Sequence, residues 1–110
     1  VQTVVEIPSY LKIAEKLFTV EERVAIVDMV ARDPECGDVI QGTGGFRKVR
    51  VGRGSAGKSG GARVIYILRN EGFPVFLVAV YAKNEKANLA KAERNELAKL
   101  ADAIFENYGG

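Results

Sequence analysis

Apolar positions recur along this chain with two different periods, and the switches between them predict seven elements. Gln2 to Glu6 (QTVVE) is a short β-branched stretch, which predicts a strand at the edge or in the middle of a sheet. From Pro8-Ser9 onward Tyr10, Leu11, Ala14, Leu17 and Phe18 return at spacings of three and four, the signature of a helix buried along one face. Thr19-Val-Glu-Glu22 then fits the capping box, in which a threonine hydroxyl and a glutamate satisfy free amides at a helix start. The helix that follows is expected to bury Val24, Val27 and Ala31, with Ile26 and Val30 alongside. Asp33-Pro34 ends it, because proline lacks the donor and disfavours helix at the residue before it. Two helices broken at Phe18-Thr19 predict a helical hairpin.

The second half changes period. Gly42-Thr-Gly-Gly45 reads as a loop, and Phe46 to Val51 alternates, setting Phe46, Lys48 and Arg50 on one face and Arg47, Val49 and Val51 on the other. Gly52 to Gly61, half glycine, is a connection. Ala62 to Arg69 and Val75 to Lys83 are predicted strands joined by the turn Asn70-Glu-Gly72, with Pro74 at a strand start, where its missing donor does least harm. Leu97, Leu100, Ala101, Ile104, Phe105 and Tyr108 form one stripe of a C-terminal helix, whose N-cap position, Ala90, is a poor capping residue. The predicted order is β-α-α-β-β-β-α, an α+β fold: an antiparallel twisted sheet carrying a meander of three strands, with the helical hairpin and the last helix packed on it. No repeat or internal boundary interrupts it, so residues 1–110 are read as one domain.

Composition narrows the chemistry. At 47% hydrophobic and 27% charged the chain reads as a soluble globule. Its longest apolar run, Val75 to Ala82, is far short of the ~20 residues that span a bilayer, and no secretory pattern opens the sequence. A single cysteine, Cys36, excludes an internal disulfide framework and fits a reducing compartment such as the cytoplasm. There is no histidine. That removes the commonest general base and the commonest zinc ligand, so any catalysis is expected to rest on Lys, Arg, Tyr, Asp or Glu; no cofactor is expected.

Charge is distributed unevenly. The net +2 resolves into −4 over residues 1–38, +7 over 39–70 and −1 over 71–110. The middle segment holds Arg47, Lys48, Arg50, Arg53, Lys58, Arg63 and Arg69 without one acid. Like charges so concentrated repel each other and point to a polyanion such as nucleic acid. Gly52-Arg-Gly-Ser-Ala-Gly57-Lys58-Ser59 also fits the phosphate-loop pattern letter for letter. That motif needs a helix after it to attract phosphate, whereas β-rich RVIYIL follows, and no acid ends Val75 to Lys83 to hold a metal. We therefore read the match as coincidental, leaving Lys58 as a point charge on a glycine-rich loop.

The segments DVIQGTGGFRKVRVGRG, GKSGGARVIYIL and VYAKNEK closely resemble the RelE/HigB-type toxins of bacterial type II toxin–antitoxin modules, and most closely the HigB-like branch. The resemblance implies the compact fold derived above and a ribosome-dependent endoribonuclease that cleaves mRNA in the A site, arresting translation. It implies a cognate antitoxin as partner, a helix-turn-helix protein of the HigA kind, with operator DNA bound only through the toxin–antitoxin complex. Carried over by motif, Lys48 and Arg50 match the basic pair of the second strand, and Arg63 the arginine that precedes an apolar triplet on the third. The fourth strand departs from the pattern, with Asn84 beside Lys83 where an arginine is usual, and Leu89 and Ala90 near the place of a later tyrosine. Tyr81 and Lys83 are the candidates to substitute. Arg47, Arg53 and Lys58 are expected to contact RNA.

Metal-free RNA cleavage requires a base to take the ribose 2′-hydroxyl proton, cations to hold the phosphorane and an acid for the leaving oxygen. Crowding by Arg50 and Arg63 disfavours a lysine's charged form, which makes Lys48 the expected base. The two arginines fork toward phosphate oxygens, and Tyr81 or Lys83 transfers a proton or holds substrate. Duller readings stand beside these: Lys48 and Arg50 as charges protecting a sheet edge, Arg63 as the partner of an N-terminal carboxylate, Tyr81 as a core aromatic. Two other functions stay open, a ParE-like toxin of the same fold that binds gyrase and a non-catalytic nucleic-acid-binding module.

Overall fold

The computed structural model describes residues 2–52, 61–69, 72–82 and 90–109. Eight elements follow in order: β1 (Val4–Glu6), α1 (Pro8–Leu17), α2 (Val20–Arg32), β2 (Asp38–Val39), β3 (Phe46–Val51), β4 (Ala62–Ile67), β5 (Val75–Ala82) and α3 (Lys91–Gly109). The sheet runs β1-β5-β4-β3-β2. β2 to β5 form an antiparallel meander, and β1 returns to pair with β5 in parallel at the far edge. The α+β class and the predicted order hold, with one addition. The two-residue β2 has no alternation to announce it, and it becomes a strand because the loop behind it folds tightly. Thr43 donates its hydroxyl to the Ile40 carbonyl at 2.6 Å and accepts the Phe46 N–H at 3.2 Å. Gly42, Gly44 and Gly45 take positive φ, which a side chain rarely tolerates.

The hairpin of helices forms as the sequence predicts. Both bonds of the capping box are made, Glu22 N–H to the Thr19 hydroxyl at 3.1 Å and Thr19 N–H to the Glu22 carboxylate at 2.8 Å. The buried face of α2 differs from the expected one. Ile26, Val30 and Ala31 enter the core, Val27 is half-buried, and Val24 is 62% exposed. Residues 26 and 30, one turn apart, point at α1 and the sheet, and that rotation turns Val20 and Val24 outward together.

Two apolar clusters fill the two faces of the sheet. On one, Tyr10, Ala14, Phe18, Ile26 and Val30 of the hairpin pack on Val51, Ala62, Val64, Tyr66, Leu77 and Val80. On the other, Ala101 and Phe105 of α3 pack on Phe46, Ile65, Ile67, Phe76 and Val78. Lys48 and Arg50 share this second face with Phe46, so α3 and the basic side chains of β3 lie on the same side of the sheet.

Tyr10 is fully buried, and its hydroxyl finds no hydrogen-bond partner among the described residues. Burial pushes its pKa from 10.0 up to about 12, and the Glu6 carboxylate adds to the rise. The neutral phenol therefore favours the folded state. This contribution is intact below pH 10, where the unfolded chain also keeps its proton, and it is lost as the pH climbs toward 12. The full loss is about 2–3 kcal/mol. Urea melts of wild type and Tyr10→Phe at pH 7 and across pH 9–12 check this. The phenylalanine protein should match or exceed wild type at pH 7, since an unpartnered hydroxyl is removed, and should lose stability less steeply in alkali. Burial also pushes Tyr66 up, so some alkaline loss remains in the variant.

Gly37 sits where the backbone leaves no room for a side chain. A Cβ there would stand 2.9 Å from the Lys48 carbonyl oxygen and 2.9 Å from the Tyr66 hydroxyl. Gly37→Ala should cost about 1–3 kcal/mol in a denaturant melt, the usual penalty for overpacking. A loss under about 0.5 kcal/mol would show that the turn gives way freely.

Candidate nucleic-acid interface

Strand pairing brings part of the basic segment into one row. Arg50 lies directly opposite Arg63 across β3 and β4, and Arg63 directly opposite Tyr81 across β4 and β5. Side chains paired in this way stand on the same face, roughly 4.5–5.5 Å apart at Cβ. Lys48 is two residues from Arg50 on that face, opposite Ile65. The group is thus Lys48, Arg50, Arg63 and Tyr81, with Lys48, Arg63 and Tyr81 half-buried and Arg50 exposed. Like charges directly opposite one another disfavour a ladder.

Tyr81 reaches this row through an irregularity in β5. Phe76 pairs with Ile67 and Leu77 with Tyr66, but Ala79, not Val78, pairs with Ile65. Val78 is an extra residue, a β-bulge, and it reverses the alternation beyond it. Without it Tyr81 would stand on the hairpin side of the sheet with Leu77, away from Arg63.

The remaining basic residues have other places. Arg47 is on the opposite face, and its guanidinium donates to the carbonyls of Gly37 at 2.8 Å and Glu35 at 3.3 Å, with the Glu35 carboxylate 3.7 Å away. It ties the 35–37 turn to β3, so the structure does not bring it to the row. Tyr66 fastens the same turn, donating to the Pro34 carbonyl at 2.7 Å and accepting the Gly37 N–H at 2.8 Å, with the half-buried Cys36 sulfur 3.6 Å off. Arg69 lies over the Phe105 ring, 4.3 Å from its centroid. Arg53, Lys58, Lys83, Asn84 and Leu89 fall outside the described residues, as does most of the phosphate-loop match. What directly follows Gly61 is strand β4, not the helix that motif requires.

Three acidic residues join the site that the sequence did not single out. Asp38 on β2 lies directly opposite Lys48. The purely cationic neighbourhood expected for that lysine is therefore not what the pairing builds, because the carboxylate comes from just outside the acid-free segment. Glu93 and Glu96 of α3, with Ile65, Tyr81, Leu97 and Leu100, line a cavity of about 350 Å³ beside the row. Glu93 also accepts the Ala90 N–H at 3.0 Å, half of a capping box whose other half alanine cannot make. Among the described residues no group of three or more acidic, cysteine or histidine side chains is placed to hold a metal. No described helix is long and apolar enough to cross a membrane.

The fold is shared with a solved structure of the E. coli toxin RelE, a double arginine-to-alanine mutant in the free state. The TM-score is 0.60 at 19% sequence identity, over 91% of this chain and 96% of that one. Residues 35–108, from the turn before β2 into the end of α3, match the family described as the RelE toxin of the RelE/RelB toxin–antitoxin system. That span holds the whole meander, the basic row and the helix beside it, and the chain belongs to the RelE toxin family.

Proposed function

We propose that this toxin is a ribosome-dependent endoribonuclease that cuts mRNA in the A site by attack of a ribose 2′-hydroxyl on the adjacent phosphate. The observation that carries the reading is the cross-strand row Arg50–Arg63–Tyr81 with Lys48 on the same face. Arg50 and Arg63 hold the scissile phosphate and stabilise the charge that builds on it. Lys48 takes the 2′-hydroxyl proton, and the Asp38 carboxylate, facing it across the β2–β3 ladder, stabilises the ammonium so formed. The Tyr81 hydroxyl serves the leaving oxygen. The row has no strong base, so the ribosome supplies much of the rate by fixing the mRNA in line. Lys83, Arg53 and Lys58 add cationic reach along the RNA. Arg47 serves from behind, holding the turn that carries β2 against β3.

The GTGG-FRK and GGARVIY segments support a reading in which the toxin is of the HigB-like branch and acts in the cytoplasm, where ribosomes are. Its antitoxin is then a helix-turn-helix protein of the HigA kind, and operator DNA is met only through the complex. Primer extension on transcripts after induction tests the activity. New codon-linked 5′ ends within minutes support it, whereas growth arrest without them favours a ParE-like action on gyrase. Salt-sensitive binding to naked RNA without cuts favours a non-catalytic module.

A further inference from the structure

The cavity between α3 and the sheet joins the basic row at Tyr81. Its floor and walls are apolar: Ile65 is buried, Leu97 half-buried, and Leu100 is 40% exposed on the rim. At about 350 Å³ it has room for one flat ring system and little more. Tyr81 belongs to both places, as the end of the row and a wall of the cavity. A phosphate held between Arg50 and Arg63 therefore has its own nucleotide's base within reach of the cavity.

Among the described residues its charged groups are the carboxylates of Glu93 and Glu96, which is unexpected beside a polyanion. Glu93 has a local reason to be there, because an acid in the first turn favours the positive end of a helix and this one also takes the Ala90 amide. Glu96 lies beyond the first turn, where the dipole effect has faded, exposed at the mouth of the cavity, and a negative charge beside an RNA phosphate costs binding. That cost is offset if the carboxylate meets hydrogen-bond donors on the base.

On the reading above that the row binds an RNA phosphate, we propose that this cavity is a base-selecting subsite in which Glu96 favours adenine, cytosine or guanine over uracil. An ionised carboxylate accepts hydrogen bonds and donates none. Adenine, cytosine and guanine each present an exocyclic amino group to it. Uracil presents one N–H flanked by two carbonyl oxygens, and both repel the carboxylate. The discrimination thus comes as much from repulsion of the wrong base as from attraction of the right ones, and the apolar walls and Tyr81 hold whichever ring enters.

The test is genome-wide mapping of 5′ ends after induction of wild type, Glu96→Gln and Glu96→Ala. Wild-type cuts should show uracil depleted several-fold at one position fixed relative to the break. Glutamine both donates and accepts, and alanine does neither, so in both variants uracil should return to its background frequency at that position. The readout is a ratio among cuts, independent of how many are made. Cuts whose base composition is the same in all three proteins overturn the subsite and leave the nuclease reading standing. If wild type makes no cuts, the nuclease reading fails and takes the subsite with it.

Discussion

Replacing Arg63 by alanine is expected to lower the rate of mRNA cleavage on the ribosome about 10²–10³-fold, the usual loss when one preorganised donor to a developing oxyanion is removed. Arg63 stands at the centre of the row, opposite Arg50 on one side and Tyr81 on the other. It is half-buried, so its charge acts where water screens less than at the surface. The strand beneath it carries Val64, Ile65, Tyr66 and Ile67 into both clusters, so its backbone does not depend on the guanidinium. Single-turnover cleavage of a defined mRNA on purified ribosomes measures the loss, with a urea melt to establish that the variant is folded. Arg63→Lys should recover only part of it, because an ammonium keeps the charge but not the planar fork that grips two phosphate oxygens. A folded Arg63→Ala protein that cuts at the wild-type rate would remove the row from the mechanism.

Phe105→Ala is expected to cost about 3–5 kcal/mol, the range for truncating a buried phenylalanine. The ring is 5% exposed and meets Phe73 and Phe76 edge to face, with centroids 4.8 and 5.8 Å away. The Arg69 guanidinium covers it on another side. These contacts anchor the C-terminal half of α3, in which Ala101 is the other deeply buried residue among the described side chains. The variant should therefore lose stability in a denaturant melt and also loosen the helix that walls the cavity. Amide exchange along α3 should rise more than along α1 and α2, whose core lies on the other face of the sheet. Equal loosening of all three helices would mean that the two clusters unfold as one.

Much of this fold is legible in local pattern. The three- and four-residue spacing from Tyr10 to Phe18, the Thr19–Glu22 box and the alternation from Phe46 to Val51 each specify an element by interactions within one turn or between adjacent strands. The structure forms all three. Where two faces of a helix are both apolar, the pattern is silent on which is buried: α2 carries Val20 and Val24 as well as Ile26 and Val30, and only packing against α1 and the sheet selects the second pair. β2 is equally hidden, since two residues have no period.

The basic row divides in the same way. That the middle of the chain is cationic, and that Lys48 and Arg50 share a face, follows from composition and a two-residue repeat. Which other side chains join them depends on register, a relation between segments far apart in the chain. Asp38 arrives through β2, Glu93 and Glu96 through the docking of α3, and Arg47 leaves for the turn behind the sheet. Tyr81 is the sharpest case. Val75 to Ala82 is apolar almost throughout, so nothing along it betrays an extra residue, and strict alternation from Phe76 would send Tyr81 to the wrong side. The bulge at Val78 reverses that. Amino-acid order alone determined the elements, the excess of positive charge and the face of β3 that bears it, because these rest on near neighbours. The tertiary structure decided which residues share the basic row, because a side chain's partners across a sheet are chosen by the pairing of strands and not by its own sequence.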